Sequence, residues 1–322
     1  MKYKLYTENM KSFFGTLAVV SALSLSAFFP VGALAQDKEA SEMYSRKYDQ
    51  LVSVLGPTGV GIETVLDKWE ACDPGNRKML SARFNYYFNK SKTSSVVSKP
   101  GRKYLGNEPL FSLKDSTGND IRYFEEVTYD DSLFSIALKN IDKAASIFKS
   151  DIGLRFNKAA ALVAYEKESP DMALVCLEKL VDDYYASPKG WVFDGQDVDN
   201  EVFEGAIQEY CYTFFNIGTE SSYNAFASLA GKMLTKNPSS TMFLSDVGSY
   251  WFVAQKNPKK ALKYYEKVLK INPKDYTAAK NCILIARRQK NVRLEKKYLP
   301  VLIEVSPDEQ ERMSAKARLE QL

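Results

Sequence analysis

The side chains of this chain best equipped for chemistry are cations. From Lys256 to Lys297 there are 14 Lys/Arg against three Asp/Glu, a net of +11, whereas residues 36–255 carry 24 against 31. Such an excess suits acidic partners or anionic surfaces, and it equally suits a solubilising coat of lysines. Within it, Lys280, Asn281, Leu284, Arg287 and Arg288 set cationic donors, an amide and an apolar residue at helical spacing. Arg and Lys so placed are able to hold a carboxylate, for instance a peptide C-terminus, through charge-assisted hydrogen bonds.

Composition excludes much else. Histidine is absent from all 322 residues. That removes Ser-His-Asp and Cys-His nucleophilic sites, His-Glu-x-x-His zinc proteases and mixed Cys/His zinc centres. No Cys-x-x-Cys pair occurs among Cys72, Cys176, Cys211 and Cys282. Each lies in or beside an apolar helical pattern, where a buried free thiol is expected. The stretch GPTGVG (56–61) lacks the Lys-Ser/Thr of a phosphate loop and reads as a helix-to-helix turn. For an enzyme there remain the carboxylates Glu125, Glu126, Asp194, Asp197 and Asp199, which no acid/base spacing joins. The expectation is a non-catalytic protein with no metal and no cofactor.

The N-terminus reads as a leader. Lys2, Lys4 and Lys11 precede an uncharged run from Phe13 to Ala35 that ends in Ala33-Leu34-Ala35. This is the positive, apolar and small-residue order of a signal peptide over 1–35, cleaved before Gln36. An uncleaved anchor is the alternative, against which stand Pro30 and Gly32. Export to the periplasm or cell envelope is the expected fate.

Helical pairs must position the cations. Leu244-x-x-Val247-Gly248-x-x-Trp251 is followed by Ala261-x-x-x-Tyr265 and then Pro273. Small residues at Gly248 and Ala261 allow two antiparallel helices to approach, and Trp251 and Tyr265 fill the space around the contact. The prolines Pro238, Pro273 and Pro307 recur at 35 and 34 residues. Looser pairs precede these: Tyr44 to Leu55 with Ile62 to Trp69, Leu80 to Phe88 with Ala137 to Ala144, Ala159 to Tyr165 with Ala173 to Leu180, and Gly205 to Phe215 with Tyr223 to Leu234. A last pair covers Tyr276 to Lys290 and Val292 to Val305, and polar residues 308–322 suit a capping helix. Two insertions, 93–129 and 186–199, interrupt the order. The first opens with a Ser/Lys-rich loop (Ser91 to Lys103), and its DSTGND turn between β-branched and aromatic runs predicts a β-hairpin.

The signature and period resemble the tetratricopeptide repeat, W-x2-L-G-x2-Y, A-x3-F and P, most closely over residues 240–307. The stretches WEACDP, FNYYFNKS and EPLFSLKDSTGND resemble exported proteins of this kind from anaerobic Gram-negative bacteria. The resemblance implies an all-α, right-handed superhelical solenoid over 36–322: about six antiparallel helix pairs, a capping helix and a β-hairpin insertion. It also implies a protein-interaction scaffold whose first helices line a concave groove, with no catalytic residues. By that analogy Lys280, Asn281, Leu284 and Arg287 point into the groove, with Arg288 on the same helix. An apolar Leu284 stands where the two-carboxylate clamp of co-chaperone repeats has asparagine. The lysines of Pro258 to Ile271 fall opposite Ala261, Leu262, Tyr265, Val268 and Leu269. That separation indicates a solvated or surface-binding face rather than a nucleic-acid surface with interleaved aromatics. The expected partner is a protein or peptide, and anionic lipid or glycan of the envelope is the alternative.

Overall fold

The computed structural model describes residues 33–322. The leader expected over 1–35 lies outside them but for its last three residues, which begin the first helix. The described residues form 13 helices and five short strands. They fall into two compact units: residues up to 90 with Ser135–Asn140, and Ser91–Phe134 with Ile141–Leu322.

In the first unit α1 (Ala33–Leu55) packs on α2 (Ile62–Cys72), which packs on α3 (Arg77–Lys90). Gly56 and Gly61, at φ 78 and 87, turn the chain between α1 and α2, a conformation that costs glycine nothing. Trp69 is buried and its indole N–H donates to Ser41 Oγ at 2.8 Å. Glu63 on α2 accepts from Tyr86, Tyr87 and Lys90 at 3.0, 2.8 and 2.8 Å, fastening α3 to it.

The second unit opens with the first insertion. Strands β1 (Lys92–Lys99), β2 (Phe111–Lys114) and β3 (Asp120–Tyr129) make an antiparallel sheet in the order β1-β3-β2. The β2–β3 hairpin turns where DSTGND stands: Asp115 Oδ1 accepts from the backbone N–H groups of Thr117 and Asn119, and Gly118 takes φ 88. The preceding segment corrects the sequence reading, since most of the expected Ser/Lys-rich loop is strand β1. It pairs from Lys92↔Tyr129 to Lys99↔Arg122. Its residues are mostly exposed, so they carry no period-2 alternation to announce a strand. The second insertion holds a minimal hairpin, β4 (Val192–Phe193) and β5 (Gln196–Asp197). Asp194 and Gly195 turn it with φ 49 and 77, the positive pair a two-residue hairpin needs.

After the sheet, α4 (Asp131–Ile147) starts on the Asp130 cap, which accepts from Leu133 N–H. Helices then alternate: α5 (Ile152–Glu166), α6 (Asp171–Ala186), α7 (Asn200–Ile217), α8 (Glu220–Lys236), α9 (Thr241–Val253), α10 (Pro258–Ile271), α11 (Tyr276–Arg288), α12 (Val292–Val305) and α13 (Glu309–Gln321). From α7 onward each helix packs on the next, and α5 packs on α6. The expected tetratricopeptide-like helix pairs with a hairpin insertion are therefore present. Caps fix the starts: Asn257, Asp275 and Asn291 each accept a backbone N–H three residues on, and Pro258 sits where its missing N–H has no intrahelical partner to lose.

The α9–α10 contact shows why the motif has its residues. A Cβ on Gly248 would lie 2.9 Å from Tyr265 Cε1, so only glycine admits the buried ring. The Tyr265 hydroxyl reaches Ser249 Oγ at 3.0 Å. Between pairs, Tyr210 of α7 donates to the Phe156 carbonyl of α5 at 2.7 Å. A buried hydroxyl so far inside needs such an acceptor.

Candidate partner-binding surface

Helix α11 carries all five residues singled out by spacing. It buries Ala278, Ala279, Cys282, Ile283, Ile285 and Ala286, which leaves Lys280, Leu284, Arg287 and Arg288 exposed and Asn281 half-buried. The small buried residues let neighbouring helices come close, and the long polar ones are turned out.

Two of the cations already hold carboxylates of the same chain. Arg287 Nε lies 2.8 Å from Glu295 Oε1, and Glu295 is buried on α12. Arg318 of α13 grips the same carboxylate with two bonds of 3.1 Å. The Arg318 guanidinium, helped by Arg287, holds the Glu295 carboxyl below the usual range against the opposing effect of burial. Lys280 Nζ donates to Tyr276 OH at 2.7 Å and pairs with Glu311 of α13 at 2.9 Å. Those contacts raise its ammonium above the ordinary lysine value.

Leu284, Arg288 and Asn281 stand differently. Leu284 is 40 % exposed, an apolar side chain without cover. The Arg288 guanidinium lies 4.7 Å over the Phe252 ring of α9. This is a cation–π contact, and the guanidinium pairs with no carboxylate among the described residues. What this surface offers chemically is an apolar contact, a planar forked cation and an amide, all preformed on the one helix α11.

Two features escaped the sequence reading. The first is the Glu295 clamp; its signal was an acid set among Leu294, Tyr298 and Leu299. The second lies between α7 and α9, where Gln208 Nε2 donates to Asp246 Oδ1 at 3.0 Å. The other Asp246 oxygen and the Gln208 carbonyl oxygen are both buried without a partner. Burial pushes the Asp246 carboxyl up to about 7, opposed by the Gln208 bond. Asp246 amid Phe243, Leu244 and Val247 was the readable hint.

The insertion carboxylates do other work. Glu125 and Glu126 are consecutive in β3 and so point to opposite faces. Ser94 Oγ donates to the first at 2.6 Å and Tyr104 OH to the second at 2.9 Å. Asp199 caps α7, and Asp194 occupies the β4–β5 turn. None of the four cysteines is in a disulfide, and burial raises Cys211 and Cys282. Among the described residues no cluster of three or more His, Cys, Asp or Glu is placed to hold a metal ion. Nor is any helix there long and apolar enough to cross a membrane.

No protein-family model matches the chain, and no curated protein does. Among solved structures it is similar to that of "Functional Characterization of Pseudomonas Aeruginosa pilF", at TM-score 0.36 and 11 % identity over 88 % of this chain and 99 % of that one. It is also similar to a flexible tandem repeat domain of bacterial cellulose synthase, at TM-score 0.26 and 13 % identity over 91 % and 97 % of the two chains. The assignment of the fold rests on the helix pairs of this chain itself.

Proposed function

We propose that the chain is a non-catalytic scaffold that holds a segment of a partner protein against α11 and the adjoining part of α9. The observation that carries this reading is the exposed Leu284 on the same rigid helix as Arg288, whose guanidinium lies over the Phe252 ring. Arginine is among the residues enriched at interface hot spots, and Leu284 adds an apolar contact beside it. Because the helices are preformed, binding needs little rearrangement. The carboxylate-capture role suggested by Lys280 and Arg287 narrows to Arg288, since the first two hold Glu311 and Glu295. We place the protein in the periplasm or envelope on the strength of the leader-like residues 1–35.

The test is in-cell crosslinking with wild type and Leu284→Asp/Arg288→Glu. Neither residue has a carboxylate partner among the described residues, so the variant should fold. A partner captured by wild type and lost from the folded variant supports the reading. Capture unchanged in the variant overturns this site, and no specific capture by either overturns the scaffold. Fractionation of cells tests the location.

A further inference from the structure

The basic excess is not spread evenly over the surface but is concentrated on α10 and α12, which side-chain bonds join. On α10, Lys260, Lys263, Lys267 and Lys270 are exposed. At 100° per residue they fall, with Lys259, within about 100° of one another. Lys256 and Lys274 flank α10 in the chain, giving a run spaced four, three, four, three, four residues in sequence. On α12 the exposed Arg293, Lys296 and Lys297 also share a side.

Two ion pairs join these faces. Lys297 reaches Glu266 of α10 at 2.8 Å, and Lys274 reaches Glu304 of α12 at 2.6 Å. Tyr298 adds a hydroxyl bond to Glu266. The acids near the patch are thus used to align its helices, while Lys256, Lys259 and Lys263 have no carboxylate partner among the described residues.

The chemistry of this face favours one class of occupant. Its nearby aromatic rings are covered by its own cations, Trp251 by Lys260 at 3.8 Å and Tyr264 by Lys267 at 5.0 Å. Rings so covered offer no stacking platform for nucleic-acid bases. The α10 row is lysine throughout, compact point charges on flexible stems that suit many loosely placed anions rather than one oriented group. Ile271 and Val292 are exposed at the ends of the same helices, 49 % and 45 %. Apolar side chains gain nothing from a hydrated acidic glycan, whereas a bilayer interface takes both lysine and isoleucine.

We propose that α10 and α12 form a basic docking face for a membrane surface bearing anionic phosphate headgroups, separate from the α11 residues above. The test is vesicle flotation with the full chain, using phosphatidylcholine vesicles with and without about a third phosphatidylglycerol. Neutral vesicles report any contribution of the apolar N-terminal run. The variant is Lys259→Glu/Lys263→Glu/Lys270→Glu, with the three Lys→Arg changes as a charge-preserving control. Anionic vesicles should bind wild type at least tenfold better than neutral ones. That excess should vanish in the Glu variant, persist in the Arg variant and fade from 50 to 500 mM salt. Equal binding to both vesicles overturns the proposal, as does an anionic excess that survives in the Glu variant. Retention on dextran sulfate without vesicle binding also overturns it, in favour of a soluble polyanion.

Discussion

Gln208 and Asp246 share one hydrogen bond of 3.0 Å across α7 and α9 and leave one buried oxygen each without a donor. The pair is short of a single proton. Burial disfavours the ionised carboxylate and pushes its pKa up to about 7 against the Gln208 bond, and a protonated Asp246 supplies a donor where an ionised one has none. The titratable groups facing it are Cys211 of α7 and Tyr265 of α10, both raised and both neutral below pH 8.

The sign of the resulting pH dependence follows. The folded state keeps the Asp246 proton up to about 7, whereas an unfolded aspartate loses it near about 4. Stability from this group is greatest below the unfolded value and falls as pH rises toward 7. Asp246→Asn supplies the missing donor without a charge. Its melting temperature at pH 8 should exceed that of wild type by several degrees, and the gap should close toward pH 5. Thermal unfolding at both pH values checks this; a variant less stable at pH 8 would refute it.

Glu63 should behave in the opposite sense. Lys90, Tyr87 and Tyr86 hold its carboxyl down to about 2. Its contribution is therefore present above the unfolded glutamate value and lost as pH falls from there toward 2. Glu63→Gln should reduce the stability of the first unit at pH 7 and show little difference from wild type at pH 2. Amide exchange in α2 and α3 at the two pH values reads this locally.

The Glu295 clamp sets a third expectation. Arg318→Ala leaves a buried carboxylate with Arg287 alone, at a cost of about 2 kcal/mol. Glu295→Gln/Arg318→Ala should recover part of that loss. Urea unfolding of these two variants and of Glu295→Gln alone measures the coupling, and strictly additive effects would show the clamp to be idle.

Gly248→Ala is a steric probe. The added methyl meets the Tyr265 ring at 2.9 Å, and overpacking of this kind costs about 1–3 kcal/mol, against about 1 gained in helix propensity. Destabilisation is expected, with relief in Gly248→Ala/Tyr265→Leu. A Gly248→Ala variant as stable as wild type would mean that α9 and α10 separate freely.

How much of this was legible in the residues follows from what each feature rests on. The helix pairs were readable because burial imposes a period on Ala261, Tyr265 and Val268, and because Gly248 has a packing reason to be small. Strand β1 was not, since its ladder to β3 rests on backbone bonds to which side-chain type contributes little. The hairpin at Asp194-Gly195 carried a turn signature that fourteen inserted residues obscured. At the candidate surface, spacing put Lys280, Asn281, Leu284, Arg287 and Arg288 on one helix, which is α11. It did not show that Glu295 and Glu311 had claimed two of them, because both acids come from later helices and approach only through packing.

The Tyr210 to Phe156 bond has a kinetic corollary. It joins residues 54 positions apart and is the longest of the side-chain bonds described above. A chain whose contacts close such short loops gives up little entropy before each is rewarded, so folding of the helical array should spread from neighbour to neighbour and be rapid.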